Sequence, residues 1–345
     1  MKKSSGSTVQ VDRDQVMEQE LQASFVERLR GRLGDFVAQA AAAGALVVVF
    51  IILSFISPVF LTLNNLTNII EQTTVTAIIA IGMTFVIITA GIDLSVGSTA
   101  AISGVIGVSL IVNQGVSWPL AIVVGVLVGG AVGLGNGLLI TVANLNPFIA
   151  TLGMMSVIRG LVYISTNGQV VFGVPDAFGV LGSGNIAGIP VPLILLIIVA
   201  ALAYLLLSRT RLGRYTYAIG SNREAAQLSG IPVRNYLIAV YVILGLLAGF
   251  GGMIASSRVY SGQPNFGIGL ELDVIAAAVI GGASLFGGQG TILGTLIGAF
   301  LIALIRNGSV LLDINTFYQQ VIIGAVIWLA VFWDQFRRRR ISSLS

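Results

Sequence analysis

The chain has no histidine and no cysteine among its 345 residues, and its only lysines are Lys2 and Lys3. Each absence removes a class of chemistry. Without thiols or imidazoles there can be no disulfide, no cysteine nucleophile, no histidine acid–base catalysis and no ordinary zinc site. Without an internal lysine there is no G-x-x-x-x-G-K-[ST] phosphate loop, so any nucleotide hydrolysis must occur on another polypeptide. Charge is also scarce. Asp, Glu, Lys and Arg make up 9% of the residues, against about 25% in a soluble domain.

What the chain does have is apolar length. Hydrophobic residues reach 56% and the mean hydropathy is +0.97. Charge-free runs cover 36–70, 72–92, 94–158, 177–208, 235–257, 274–305 and 314–333. A bilayer-spanning helix needs about 20 mostly apolar residues, so the longest of these runs must fold back as hairpins. The runs are continuous rather than alternating, which excludes a closed β-barrel. The predicted fold class is an all-α polytopic membrane protein of about ten transmembrane helices, both termini cytoplasmic.

Polar breaks place the spans at about 41–56, 73–90, 96–112, up to 142, 148–165, up to 208, 236–256, two around the turn 286–290, and 318–333. Asn64, Asn65, Thr67 and Asn68 are expected to form a polar connection before the second span. The domain reading is an N-terminal amphipathic segment over 1–40, a membrane domain over 41–336 with a cytoplasmic segment at 209–234, and a basic tail over 337–345. In the first of these Met17, Leu21, Phe25, Leu29 and Leu33 recur at every fourth position, as on a helix lying at the membrane surface. With both termini inside, fifteen of the eighteen basic residues fall in cytoplasmic segments, while Glu71, Asp176, Glu271, Asp273 and Asp313 fall outside. This is the positive-inside bias, and it also accounts for the net charge of +4 without nucleic acid.

Glycines recur at every fourth position, at 125, 129, 133 and 137 and again at 290, 294 and 298. Such faces let helix backbones approach closely, within the subunit or across a dimer contact. A faint internal repeat matches Gly91, Leu94, Gly97 and Gly107 to Gly282, Leu285, Gly288 and Gly298 at constant offset. Both copies read as a span, a glycine turn and a returning span. Few ionisable residues lie near membrane depth. Arg159 and Arg306 read as snorkelling to the outer interface. Asp93 reads either as a cap on the third span, where an acid suits the helix dipole, or as part of a gate.

The one long polar stretch between the termini is 209–234, with five arginines and one glutamate. It contains its own punctuation: Ser221 and Glu224 in capping-box spacing, Gly230 as a left-handed stop and Pro232 beyond it. A helix of about two turns does not hold in water by propensity alone, so something must pack on it. By spacing alone it could equally be an interfacial loop helix with no partner.

Four ordered motifs then carry a resemblance: GMTFVIITAGIDLSVGS at 82–98, PFIATLG at 147–153, TRLGRYTYAIGSNREAAQLSGI at 210–231 and ELDVIAAAVIGGASLFGGQGTILGTLIGA at 271–299. From about residue 45 to 333 the chain resembles permeases of bacterial ribose-type ABC importers. The resemblance implies a homodimer in the inner membrane, served by two cytoplasmic ATPase subunits and a periplasmic sugar-binding protein. ATP and magnesium would reside on the ATPase, with no cofactor in this chain. It also implies that residues 222–229 form the coupling helix seated in the ATPase, with Ser221, Asn222, Arg223, Glu224, Ala225, Ala226 and Gly230 as the coupling set. Asn68, Asp93, Ser95 and Thr151 are the path or gate candidates. Arg258, Glu271 and Asp273 are the expected docking charges for the binding protein. Two rivals remain: a branched-chain amino-acid ABC permease of the same architecture, and an ion-coupled secondary carrier, for which Asp93 is almost the only titratable candidate.

Overall fold

The computed structural model describes residues 39–315, 317–326, 328, 329 and 332. The amphipathic segment, up to residue 38, and the basic tail lie outside the described residues. In chain order the helices are α1 (Gln39–Ile56), α2 (Leu63–Ile88), α3 (Val96–Gln114), α4 (Trp118–Thr141), α5 (Pro147–Thr166), the one-turn α6 (Val180–Ser183), α7 (Val191–Arg209), α8 (Arg211–Ser221), α9 (Arg223–Leu228), α10 (Val233–Arg258), α11 (Leu270–Ile280), α12 (Ile292–Leu311) and α13 (Phe317–Val326). Among the described residues eight of these are long and apolar enough to cross a membrane. Adding α11 and α13 recovers the ten expected segments. However, α11 has 11 residues, ~16 Å at 1.5 Å per residue, which is half a span.

The expected polar connection at 64–68 is instead the first turns of α2. The Thr62 hydroxyl accepts from Asn65 N–H at 3.4 Å and so caps the helix. The Asn65 amide donates to the Phe60 carbonyl and to Asn307, which satisfies it inside the fold. Prolines in the first turn start α4, α5 and α7, where a missing N–H costs nothing.

The core is α10 wrapped by α2, α3 and α4. The α4 glycine face packs on α10 within the same subunit: a methyl on Gly129 would strike the Gly245 carbonyl, and one on Gly133 the Tyr241 carbonyl. The second glycine series does the same on α12, whose Gly294 and Gly298 lie against Gly281 and Ala277. α2 runs antiparallel to α10, with Glu71 beside Arg258 and Gly82 against Leu244. α3 runs parallel to α10 but starts late. Gly97 lies against Gly267 and Ala100 against Gly252, so the chain climbs through 89–95 without helix before α3 begins.

At the end of the bundle where α10 finishes, β1 (Val171–Phe172) pairs antiparallel with β4 (Ser261–Gly262), and β2 (Asn185–Ile186) pairs with β3 (Ile189–Pro190) in a hairpin. Ser257 locks this cap to α10: its hydroxyl donates to the Phe178 carbonyl at 2.5 Å and accepts from Gly182 N–H at 2.8 Å.

Candidate functional site

At the opposite end the basic segment forms an elbow of two helices, not one. Ser221 is the last residue of α8, so the expected capping box is not formed. The cap is Asn222, a single extended residue between α8 and α9, whose Oδ1 accepts from Ala225 N–H at 2.9 Å. Asparagine serves both ends because it ends α8 through its backbone N–H and starts α9 through its side chain. Glu224 sits in the first turn of α9, where the helix dipole favours an acid. The stop at Gly230 has φ +80°. Gly230 N–H donates to Gln227 and Ile231 N–H to Ala226, the paired bonds of a Schellman ending.

α9 is held by one small side chain. Ala226 is buried with Ile219 of α8 and Val233 and Leu237 of α10, against Ile231 and Tyr236. Only a residue this small lets a helix of under two turns lie flush on its support. Ser221, Asn222, Arg223, Glu224, Ala225 and Gly230 are exposed. So is Leu228, at 89% the most exposed large hydrophobic among the described residues. Ala225 and Leu228 are three apart and share a face. The sequence signal for Leu228 is one leucine, three residues after Ala225, closing a helix whose other residues are charged, polar or alanine.

α8 in turn packs where two non-helical links of the membrane domain, 89–95 and 281–291, meet. The backbone of Gly220 is so close to the Ile88 carbonyl, at the end of α2, that a methyl there would collide with it and with Gly288 N. Gly288 N–H donates to that same Ile88 carbonyl at 2.8 Å. The Tyr217 hydroxyl donates to the Gly290 carbonyl at 2.6 Å. The elbow therefore touches the end of α2, where segment 89–95 begins, and segment 281–291 at one point.

Of the path candidates, the structure brings three together. Asp93 Oδ1 accepts from Ser95 N–H at 2.8 Å and from the Ser95 hydroxyl at 2.6 Å. Asn136 on α4 donates to Asp93 Oδ2 and to Ser95 Oγ, both at 2.9 Å. Thr151 on α5 donates to the Pro147 carbonyl at 2.9 Å and more weakly to the Ile92 carbonyl at 3.4 Å. All four residues are buried in this conformation. Asn68 is not part of this knot; it is exposed near the start of α2.

The docking charges do not form an exposed patch. Arg258 is bound to Glu71 at 3.1 Å, and Asp273, itself buried, to Arg306 at 2.6 Å. Arg306 is thus paired rather than snorkelling. Arg159 is pinned too, donating from one guanidinium nitrogen to the carbonyls of Pro264 and Phe266, each at 2.8 Å. Charges at this depth persist because each has a partner.

Comparison with known proteins agrees with this architecture. The family described as "Branched-chain amino acid transport system / permease component" matches residues 65–331. The chain is 46% identical to the ribose import permease protein RbsC of Escherichia coli (strain K12), over 84% of this chain and 91% of that protein. It is 43% identical to RbsC of Bacillus subtilis (strain 168), over 88% and 92%. It is 41% identical to the L-arabinose ABC transporter permease protein AraH of Azospirillum brasilense, over 91% and 92%. No solved structure matches the chain. A ten-segment helical bundle, a basic elbow and this likeness over most of its length together make the chain a member of that family: a multi-pass membrane permease subunit of an ABC importer, and not an enzyme.

Proposed function

We propose that the chain carries a monosaccharide, ribose first among them, across the bacterial inner membrane by alternating access. A sugar-binding protein delivers the solute and partner ATPase subunits hold the ATP and magnesium. A second copy of the chain completes the path. The observation that supports the coupling role is the exposed Ala225–Leu228 face of α9, raised on a platform packed where links 89–95 and 281–291 meet. Work applied to α9 would pass through Gly220 and Tyr217 to segments 89–95 and 281–291 together. Ala226 and Gly230 shape that seat, and Asn222 with Glu224 keeps it wound. The names of the relatives support a sugar; the family's description supports a branched-chain amino acid as the second reading.

The test is reconstitution of the chain with its ATPase and binding protein in liposomes. Ribose uptake is expected to need ATP and to stop with vanadate, and leucine is expected not to compete. Ala225→Trp, at an exposed position, is expected to leave the permease folded and to reduce ribose-stimulated ATP hydrolysis at least tenfold. Uptake that survives vanadate but dies with an ionophore would sink this reading in favour of an ion-coupled carrier, and competition by leucine would favour the amino acid.

A further inference from the structure

α2 is a core helix with one face left open. From Ile69 to Ile88 nearly every residue is buried, yet Asn68 and Gln72 are exposed and Thr76 is half-buried. These three stand at every fourth position and so form a single stripe. At 1.5 Å per residue Gln72 lies ~14 Å and Thr76 ~20 Å from the start of the helix, well inside the hydrocarbon. Among the described residues neither side chain has a hydrogen-bond partner. An amide and a hydroxyl left bare to lipid at that depth would each cost several kcal/mol by hydrocarbon-transfer measures, of order 4–8. The stripe therefore faces water or a polar occupant.

The space it faces is a cleft in two lobes. One, of about 230 Å³, is lined by Gln72 and Thr76 together with Arg258 near the end of α10. The other, of about 120 Å³, is lined by the same two residues with Asp273, Arg306 and Asn307. Gln72 and Thr76 divide the lobes and belong to both.

The chemistry of the lining is selective. Its charged groups are closed into ion pairs, Arg258 with Glu71 and Arg306 with Asp273. What remains unpaired among the described residues includes the amide of Gln72, the hydroxyls of Thr76 and Ser256, and one buried donor, Arg306 Nε. The lining thus offers hydrogen-bond donors and acceptors with no net charge. A zwitterionic amino acid would need a free cation and a free anion here. A neutral polyhydroxylated solute needs neither.

We infer that this cleft is the subunit's sugar-contacting surface in the outer half of the membrane, with Gln72 and Thr76 as its specificity-determining side chains. The inference rests on the importer reading above and adds to it the place where the solute is held. It moves the solute contacts away from the buried knot around Asp93.

The absence of native cysteine makes the test direct. Gln72→Cys and Thr76→Cys each introduce a single thiol into the full chain, reconstituted with its ATPase and binding protein. Val123→Cys, at an exposed apolar position of α4 away from the cleft, is the control. With the membrane-impermeant reagent 2-sulfonatoethyl methanethiosulfonate, the two stripe positions are expected to react at least tenfold faster than Val123→Cys. Ribose at 10 mM is expected to slow them severalfold, and leucine at 10 mM to leave them unchanged. Thr76→Ser should retain ribose uptake, whereas Gln72→Leu with Thr76→Val should lose it at least tenfold. If wild type imports ribose but the stripe thiols react no faster than the control, or ribose does not protect them, this inference alone fails. Protection by leucine in place of ribose overturns the neutral-solute assignment. A wild-type importer that moves no sugar at all overturns the importer reading and this inference together.

Discussion

Segments 89–95 and 281–291 do the same job by different means. Each turns a helix that has run to the elbow end of the bundle into one that runs back, and two of the four offset identities, Gly91 with Gly282 and Leu94 with Leu285, fall inside both. The first is held by side chains. Only Ala90 is left-handed there, at φ +60°, and Asp93, Ser95 and Asn136 fix the rest through their hydrogen bonds. The second relies on the main chain: Gly282, Gly287, Gly288 and Gly290 all have positive φ, and Gly288 N–H reaches across to the Ile88 carbonyl. The offset glycines therefore do not repeat a conformation. Gly91 lies outside the left-handed region, whereas its counterpart Gly282 has φ +95°. A segment built of hydrogen-bonding side chains can be weakened by degrees. One built of glycine backbone is strained by any side chain at its left-handed positions.

The largest effect is expected where the elbow touches both. Gly220→Val drives its Cβ into the Ile88 carbonyl and Gly288 N; overpacking of this kind typically costs about 1–3 kcal/mol, occasionally more. Uptake should be abolished and the melting temperature in detergent clearly lowered. Melting unchanged from wild type would mean the links and the elbow are not in contact. Next comes Asp93→Leu, which strips the acceptor from Ser95 N–H, the Ser95 hydroxyl and Asn136. Each stranded buried donor costs ~1–3 kcal/mol, so melting should fall steeply, while Asp93→Asn, which keeps one acceptor oxygen, should fall less. Equal losses in the two variants would contradict a side-chain lock. The smallest is Gly288→Ala at φ +76°, with the left-handed penalty of about 1–2 kcal/mol. It should slow uptake while leaving a folded particle that elutes as wild type does on gel filtration. An unaffected uptake rate would remove the main-chain lock from the comparison.

Much of this was legible in the sequence because membrane helices announce themselves by length and apolarity. The span edges at 56, 96 and 208 lie within a residue or two of the observed helix ends, and the glycine faces do pack inside the subunit. The misreadings share a cause: polar residues near helix ends look alike whether they cap, pair or connect. Asn65 reads as part of a connection because nothing local reveals its partner Asn307, 242 residues away. Arg306 was given to the interface because its pairing with Asp273 is settled by the packing of α11 on α12. Ser221 and Asn222 compete for one cap, and the spacing to Glu224 favours the wrong one; the extended backbone of Asn222 decides it. The open stripe on α2 was half visible, through Asn68, but Gln72 and Thr76 acquire meaning only once the helix is seen to be buried on every other side.

The touching backbones of α4 and α10 have a kinematic consequence. Along Gly129, Gly133, Gly245 and Gly249 there is no layer of side chains between the two helices that could slide or re-register. They must travel as one stiff beam, and a change in which side of the membrane the cleft opens to cannot come from shear between them. The joints are left to stretches that are not helical, and two of them, 89–95 and 281–291, meet beside α8.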